Sequence, residues 1–330
     1  MKVKTSMDEV GLKGEFKRTE SKFRSFISAG ENSKYPPETG RYHLIISFAC
    51  PWACRCLSMI KLKGLDDVIE VTVVDPIFAK TRPDKKEDTH RGWVFSEKDK
   101  FDGAETVREF YEKHSDNADK FTVPILYDKE RKEIVNNESS EIMRMLGQEM
   151  NGFATRNKEW DLYPDGLKNQ IESVNEWIYP QINNGVYRSG FSQTQNAYEV
   201  AVKDVFDGLD RVEEILSKQR YIASPLYFTE ADIRLFVTLV RFDEVYHGHF
   251  KCNQKCLREY QHITNYIREI YQITGIADTV NMHHIKEHYH RSHPSINVFG
   301  IVPIGSDCVA DFKKAHNRDD LFMLEKQSVV

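Results

Sequence analysis

The pattern of the sequence changes near residue 155, and this change limits the folds open to the chain more than any other feature. Before it, short apolar and β-branched runs alternate with helical segments, whereas from Pro164 onward only helical patterns follow. A chain of 330 residues is long enough for about two domains of roughly 100 to 200 residues each. We therefore predict an α/β domain followed by an all-α domain, with helices over residues 164–181, 194–218, 230–246, 256–272 and 281–290.

The first half begins with a strand, a helix and a second strand in succession. Residues 42–48 predict a buried strand, and residues 52–63 predict a helix that ends at Gly64. Residues 69–78 are rich in β-branched side chains and predict the second strand. This order implies a parallel pair with a crossover helix, as in a thioredoxin-like domain.

The rest of the first half predicts how that domain is completed. A charged excursion over residues 79–120 contains a short helix around 104–113. Residues 121–127 and 134–135 then predict a hairpin, and residues 139–150 a helix that packs on it. The predicted domains are an N-terminal arm without regular structure at 1–40, a thioredoxin-like domain at 41–155, and an all-helical domain at 156–330 with an irregular tail beyond Pro294.

Charge and composition exclude several classes of function. The 46 basic and 51 acidic residues give a formal net charge of -5, which is too balanced to attract nucleic acid or an acidic membrane surface. No apolar run approaches the ~18 to 20 residues needed to cross a bilayer, and neither end carries a targeting signal. Six cysteines are too sparse for a disulfide scaffold. We expect a soluble, cytoplasmic protein that binds neither nucleic acid nor membrane.

Cys50 lies where the first predicted strand ends and the first helix begins. A thiolate there is stabilised by the helix dipole and by backbone N–H groups of the first turn. Pro51 suits the first helical position. A buried structural thiol is the plain alternative, but the strand order and Pro51 favour a reactive cysteine. Cys54 and Cys56 lie deeper in the helix without the C-x-x-C spacing of a resolving thiol, and we expect them to pack.

Two further segments of the first domain suit peptide binding. Pro124 follows Val123 before a strand, and a cis bond there turns the Val123 backbone outward to pair with an extended peptide. Taken alone, such a dipeptide most often marks only a turn. Glu138 and Ser139 precede a helical run, where hydroxyl and N–H groups bind a carboxylate and Glu138 can bind an ammonium group. A plain helix cap is the alternative for this segment.

A run of histidines near the end raises the question of a metal site. His284, Glu287 and His288 match the H-x-x-E-H pattern of a class of zinc peptidases. That class needs another carboxylate ligand well downstream, and only 42 residues follow His288 (330 minus 288). We therefore predict no metal site, and interpret these histidines as a polar helix face and loop.

Eight segments, in order, resemble the glutathionyl-hydroquinone reductases, the Xi class of glutathione transferases. The resemblance spans about residues 40–306. It is specific because the CPWA motif, the long excursion and the late histidine-rich segment, which ordinary transferases lack, occur together. Cys54 and the stretch IASPLYFTEAD depart from the family pattern without touching the expected chemistry. The segments are FACPWACR, GWVF, VPILYD, NNESSEI, NNGVYRSGF, TEADIRLF, HIKEHYHRSHPSIN and IVPIGS.

The resemblance implies a glutathione site in the first domain. Trp93 of GWVF lies over glutathione in this family, and Val123 with Pro124 presents the backbone that pairs with it. Glu138 and Ser139 hold the γ-glutamyl end. The family is homodimeric, with a thioredoxin-like domain followed by a helical glutathione-transferase domain in each subunit.

The resemblance also implies a reaction, the deglutathionylation of glutathionyl-hydroquinones. Cys50 attacks the glutathione sulfur, and a second glutathione, as co-substrate, releases the resulting mixed disulfide without a metal or nucleotide. Tyr187 of NGVY and Tyr289 of HYHRSH match the family's substrate-side tyrosines, which exchange protons with the hydroquinone.

Two other functions stay open on the sequence. An omega-like thioltransferase or dehydroascorbate reductase uses the same cysteine chemistry on disulfides, and relative rates on the two substrate types distinguish it. A non-catalytic, transferase-like ligand carrier predicts that Cys50 is dispensable. The intact Cys50-Pro51 and Val123-Pro124 pairs argue against the carrier.

Overall fold

Strand β1 (Tyr42–Ile46) lies inside a four-stranded mixed sheet. The computed structural model describes residues 9–116 and 118–322. β1 pairs in parallel with β2 (Glu70–Val73) and antiparallel with β5 (Ile125–Asp128), which pairs antiparallel with β6 (Glu133–Asn136). The sheet order is β2-β1-β5-β6. All five residues of β1 are buried, as its apolar sequence predicts for an inner strand.

Helix α1 (Pro51–Lys63) connects the parallel strands β1 and β2. It ends at Gly64, whose backbone takes a left-handed φ of 63°. A side chain there would lie 2.3 Å from Thr155 Oγ1, so the position requires glycine for space as well as for conformation. The predicted helix and its glycine end are therefore both observed.

The second strand ends earlier than the sequence predicts. The pattern predicts a strand over residues 69–78, but β2 ends at Val73. Val74 N–H still donates to Ile46 O at 2.9 Å, whereas Asp75 N–H donates to Val94 O at 2.9 Å and so leaves the sheet. The chain then forms a separate ribbon of β3 (Ala79–Lys80) and β4 (Arg91–Gly92), followed by α2 (Val107–His114).

Beyond β6 the described elements are helices. α3 follows β6 and continues directly into a π-helical turn over Met145–Glu149, which together account for the helix predicted at 139–150. The tail beyond Pro294 differs from the irregular segment expected, because it contains two short helices, α10 and α11, for which the sequence has no periodic signal. The helices are α3 (Ser139–Arg144), α4 (Lys168–Ile178), α5 (Gly185–Gly190), α6 (Gln195–Leu216), α7 (Glu230–Leu239), α8 (Gln261–Tyr271), α9 (Met282–Ser292), α10 (Cys308–Phe312) and α11 (Arg318–Leu321).

The tail helices are held by a local cap and by side chains of α8, which is distant in sequence. Asp307 caps α10 by accepting from Ala310 N–H at 3.0 Å, and Arg268 of α8 binds Asp311 at 2.9 Å. Arg318 of α11 donates to Glu269 at 2.6 Å. Because tertiary ion pairs rather than an apolar periodicity hold these helices, the sequence pattern does not reveal them.

The chain forms two compact units. The main segments of the first are Phe16–Trp160 and Asp278–Pro303, and the second consists mainly of Asp161–Ala277 and the described residues from Ile304 onward. Helix α9 therefore belongs to the unit that contains the sheet, although its sequence position lies within the predicted helical domain at 156–330. The predicted boundaries at residues 40 and 155 stay predictions. Over residues 9–116 and 118–322, no helix is long and apolar enough to cross a membrane.

Candidate active site

Cys50 occupies the N-cap position of α1, directly after the turn that ends β1. Its backbone is extended, with φ and ψ of -78° and 116°, and Pro51 takes the first helical position. Cys50 N–H donates to Ser47 O at 3.1 Å, which closes the turn. The residue is buried, with 8 % of its surface exposed, and its sulfur lies 3.5 Å from Val123 O. The thiol therefore sits at the positive end of the helix dipole, as the sequence predicts.

The Val123–Pro124 peptide bond, just before β5, is cis. The antiparallel register pairs Ile125 with Ile45, so Val123 and Pro124 lie at the end of β1 from which the Cys50 turn departs. The Val123 carbonyl accepts the hydrogen bond from the Cys50 thiol. The structure thus brings together Cys50 and the Val123–Pro124 pair, which are far apart in sequence.

Cys54 and Cys56 lie in α1 among backbone carbonyl groups. Cys54 Sγ is 3.2 Å from Phe48 O and 3.7 Å from Thr279 O, and Cys56 Sγ is 3.6 Å from Ser139 O. Burial raises the pKa of the Cys56 thiol well above its usual value. Both cysteines lie beyond the first turn of α1, where backbone N–H groups such as that of Cys54, 3.0 Å from Cys50 O, bond within the helix and do not stabilise a thiolate. These surroundings suit packing residues and not a second nucleophile.

Glu138 and Ser139 form the start of α3. Glu138 Oε1 accepts from Ser140 N–H at 3.2 Å and from the Ser140 hydroxyl at 3.0 Å. Burial alone raises the pKa of Glu138, but these hydrogen bonds and the positive charge of Arg55 bring it below its usual value. Ser139 is 4 % exposed. The helix start therefore presents an ionised carboxylate beside backbone N–H groups.

The N-terminal arm contacts this helix start, a contact that no local sequence pattern predicts. The Ser21 hydroxyl donates to Glu138 Oε2 at 3.1 Å. Phe23 and Asn137 exchange hydrogen bonds, from Phe23 N–H to Asn137 Oδ1 at 3.2 Å and from Asn137 N–H to Phe23 O at 3.1 Å. These partners are more than a hundred residues apart. The arm has no predicted role, because no local pattern indicates pairing between residues so far apart.

Arg18 of the arm and Arg55 of α1 both lie against the indole of Trp52, which follows Pro51. Their guanidinium carbons are 5.1 Å and 4.5 Å from the ring centroid. Arg55 is almost fully buried, and it also lowers the pKa of Glu138. The first turn of α1 and the start of α3 thus share one positive group.

Trp93 follows β4 and packs inside an aromatic cluster of the first unit. Its indole stacks on the imidazole of His288 with a centroid distance of 4.5 Å and an interplanar angle of 21°. Phe78 lies nearly perpendicular to the indole at 4.6 Å. His288 belongs to the late segment that carries the family resemblance, but the sequence pattern predicts only a polar helix face there. The structure corrects this interpretation, because His288 is buried.

The histidine pattern does not assemble a ligand set in the part of the chain described, residues 9–116 and 118–322. Within those residues no group of three or more His, Cys, Asp or Glu side chains has the arrangement of a metal site. His288 Nδ1 instead lies 2.8 Å from Pro76 O. His284 lies beside Phe48, with a centroid distance of 5.6 Å.

Tyr289 lies in α9, in the same compact unit as Cys50. Only 1 % of the residue is exposed, and its ring is 5.0 Å from that of His288 and 5.9 Å from that of His293. Its carbonyl is 3.1 Å from His293 Nδ1. The tyrosine ring is therefore in contact with two histidines at the C-terminal end of α9, His288 and His293.

Tyr187 lies in α5 of the second unit, within a cluster of aromatic rings. The ring of Phe250 is 5.4 Å away and that of Tyr246 is 6.0 Å away. Gly190 allows this packing, because a side chain there would lie 2.1 Å from Phe250 Cδ1. Asn183, just before α5, donates to Thr238 Oγ1 at 2.9 Å and ties α5 to α7. Local packing thus fixes the position of Tyr187 in its unit.

The sheet, the cis proline and the cysteine at a helix start define the thioredoxin-like half of a glutathione transferase. Residues 49–149 match the family model described as "Glutathione S-transferase, N-terminal domain", and residues 195–269 match "Glutathione S-transferase, C-terminal domain". The predicted fold class, a thioredoxin-like domain followed by a helical transferase domain, is confirmed.

Comparison with individual proteins shows which class of glutathione transferase the chain resembles. The chain is 42 % identical to "Glutathionyl-hydroquinone reductase YqjG" of Escherichia coli (strain K12), over 96 % of both chains. It is 41 % identical to "Glutathionyl-hydroquinone reductase PcpF" of Sphingobium chlorophenolicum, over 88 % of this chain and 90 % of that protein. The solved glutathione-S-transferase Xi from Phanerochaete chrysosporium aligns with a TM-score of 0.82 and 45 % identity, over 88 % of this chain and 98 % of that one. The chain belongs to the Xi class of the glutathione S-transferase family, which confirms the resemblance.

Proposed function

We propose that this chain is a glutathionyl-hydroquinone reductase, which uses glutathione to release hydroquinones from their glutathionyl conjugates. The observation that carries the proposal is the Cys50 thiol at the start of α1, 3.5 Å from the carbonyl of Val123. Two relatives at 41 to 42 % identity are named as enzymes of this activity, and a solved structure of YqjG, 41 % identical, is described as glutathione-bound. These similarities support glutathione as the co-substrate.

The reaction is proposed to proceed in two steps through one protein thiol. In the first, the Cys50 thiolate attacks the glutathione sulfur of the conjugate, so that a disulfide forms, the carbon–sulfur bond breaks, and the ring carbon takes the electron pair and a proton. In the second, a glutathione thiolate attacks the mixed disulfide and releases glutathione disulfide and the Cys50 thiolate. The position of Cys54 inside α1, beyond the free N–H groups of the first turn, supports a mechanism without a resolving thiol.

Tyr187 and Tyr289 are proposed to exchange protons with the oxygens of the hydroquinone. Cleavage of the carbon–sulfur bond is easier from a keto form of the ring, and forming that tautomer requires proton transfer at a phenolic oxygen. Both phenol rings are buried among other aromatic rings, which supports a fixed orientation of their hydroxyl groups.

Glutathione is proposed to bind beside Cys50, along three segments of the first unit that carry Trp93, Val123 with Pro124, and Glu138 with Ser139. Its cysteinyl backbone would pair with Val123 ahead of Pro124, as an added strand. Its γ-glutamyl ammonium group would meet the ionised Glu138, and its carboxylate the N–H groups and hydroxyl at Ser139. Trp93 would lie over the peptide. The hydrogen bonds that already hold Glu138 in place support this role, since they orient the carboxylate before the ligand arrives.

Replacing Ser139 by alanine or Glu138 by glutamine is expected to weaken glutathione binding about tenfold, the scale of one hydrogen bond to a charged group. Calorimetric titration with reduced glutathione measures the affinity, and the rate of Cys50 alkylation by iodoacetamide should stay near that of the unmodified protein. Thr194→Ala is the matched control, because it removes the N-cap hydrogen bond of α6, 3.3 Å long, in the second compact unit. Unchanged affinity in both site variants would leave Glu138 and Ser139 with a capping role alone.

The activity itself is tested with purified protein, glutathione and a panel of glutathionyl-hydroquinones beside dehydroascorbate and a mixed disulfide. A higher kcat/KM on the conjugates is expected. Preference for dehydroascorbate or disulfides would move the enzyme to the omega-like alternative, and no turnover on any substrate would favour the ligand carrier.

The assembly and location of the protein are also proposed. A homodimer is expected from the family, and light scattering should give twice the mass of one chain. A cytoplasmic location is supported by the chemistry of the cysteines, since all six are thiols and a reducing compartment keeps them so. Fractionation of cells with an antibody against the chain tests the location.

A further inference from the structure

One face of α9 holds residues 76–78, and the Phe78 ring of this segment packs against Trp93. His288 and Ser292 are four residues apart on α9 and so lie on the same face of the helix. His288 Nδ1 bonds to Pro76 O at 2.8 Å, and the Ser292 hydroxyl accepts from Phe78 N–H at 2.9 Å. Two hydrogen bonds therefore fix both ends of residues 76–78. All of these residues belong to the first unit.

The same imidazole also packs directly on Trp93. The rings of His288 and Trp93 are stacked at 4.5 Å, and Phe78 lies nearly perpendicular to both, at 4.6 Å from Trp93 and 4.8 Å from His288. Because Pro76 O can only accept, Nδ1 of His288 carries a proton and the ring cannot turn without losing this bond. The imidazole is thus locked in the plane that stacks on the indole.

We propose that His288 is a positioning residue for glutathione, which acts by holding the Trp93 indole in its binding orientation. The inference rests on the proposed glutathione site, in which Trp93 lies over the peptide. It gives the late histidine-rich segment, which the reaction scheme otherwise uses only through Tyr289, a second task. A side chain held in place before binding loses less freedom when the ligand arrives, so loosening the indole weakens affinity without removing a contact.

Replacing His288 by leucine is expected to weaken binding of reduced glutathione about tenfold, because stacking and the Pro76 hydrogen bond are both lost. His288→Phe keeps an aromatic ring but loses the hydrogen bond, and should weaken binding about threefold. His283→Leu is the matched control, since His283 lies exposed on the same helix. This variant should bind reduced glutathione as tightly as the unmodified protein does. Titration calorimetry with reduced glutathione measures all three affinities.

A double-mutant cycle separates positioning from general packing. In a Trp93→Leu background, His288→Leu should cause no further loss of affinity, because there is no indole left to orient. Equal losses in both backgrounds would overturn the proposal, and so would wild-type affinity in His288→Leu or His288→Phe. If the leucine variant does not fold, the phenylalanine variant carries the same test.

The outcome is distinguishable from failure of the proposed function. Glutathione binding is measured without any hydroquinone, so binding that depends on His288 together with absent turnover on the conjugate panel overturns only the reductase assignment. Normal turnover with affinity that is insensitive to His288 overturns only the positioning role. Iodoacetamide alkylation of Cys50 at an unchanged rate in the His288 variants shows that the thiol site itself is intact.

Discussion

Cys50→Ser is expected to lower the rate of glutathionyl-hydroquinone reduction by a factor of about a thousand or more, the scale on which loss of a covalent nucleophile acts. Serine cannot form the mixed disulfide, and at neutral pH its hydroxyl is not ionised. Steady-state turnover with glutathione and a conjugate measures the loss. In the unmodified protein, incubation with oxidised glutathione should add one glutathionyl group at Cys50, which mass spectrometry of peptides locates.

Cys54→Ser is the matched control for that experiment. Its hydroxyl can donate to the same carbonyl groups, at Phe48 and Thr279, that now surround the sulfur, so packing is preserved. The variant should keep most of the turnover and still accept one glutathionyl group at Cys50. Near-normal turnover in Cys50→Ser would contradict the mechanism, and a large loss in Cys54→Ser would reveal a second thiol in the reaction.

The features of the site that depend on neighbours in sequence could be predicted. The strand before Cys50, Pro51 at the first helical position and Gly64 at the helix end are local signals, and each is observed. The early end of β2 is different, since β-branched residues continue past it. The hydrogen bond from Asp75 N–H to Val94 O, 19 residues further along the chain (94 minus 75), redirects the chain, and no local propensity predicts such a competing partner.

The surroundings of the site depend on tertiary contacts and were missed. Ser21 reaches Glu138 from an arm that has no periodic pattern, and Arg18 reaches Trp52 from the same arm. His288 lies in a segment whose motif the sequence did single out, but its burial follows from α9 packing with the sheet-containing unit. A histidine in a polar helical segment is expected to be exposed. His288 can be buried because its Nδ1 has a hydrogen-bond partner, Pro76 O, that is distant in sequence.

The buried positions of Tyr187 and Tyr289 are compatible with a role in packing as well as with the proposed proton transfer. A buried tyrosine is more often a core residue with a hydrogen-bonded tip than an acid or base, and the sequence contains 15 tyrosines in all. Tyr187 and Tyr289 are both buried among aromatic rings. Phenylalanine preserves such ring packing and removes only the hydroxyl, so Tyr→Phe variants separate the chemistry of the hydroxyl from the packing of the ring.

Tyr187→Phe and Tyr289→Phe are expected to slow deglutathionylation of hydroquinones by about ten- to a thousandfold, the scale of a positioned acid or base. Disulfide exchange at Cys50 should barely change, because a glutathione disulfide has no phenolic oxygen with which to exchange a proton. Both rates are measured in the same variants, and Tyr246→Phe, in the ring cluster around Tyr187, serves as the control for packing. Equal losses on both substrate types would indicate a packing defect. No loss on either would assign the tyrosines to structure and move the enzyme towards the omega-like thioltransferases.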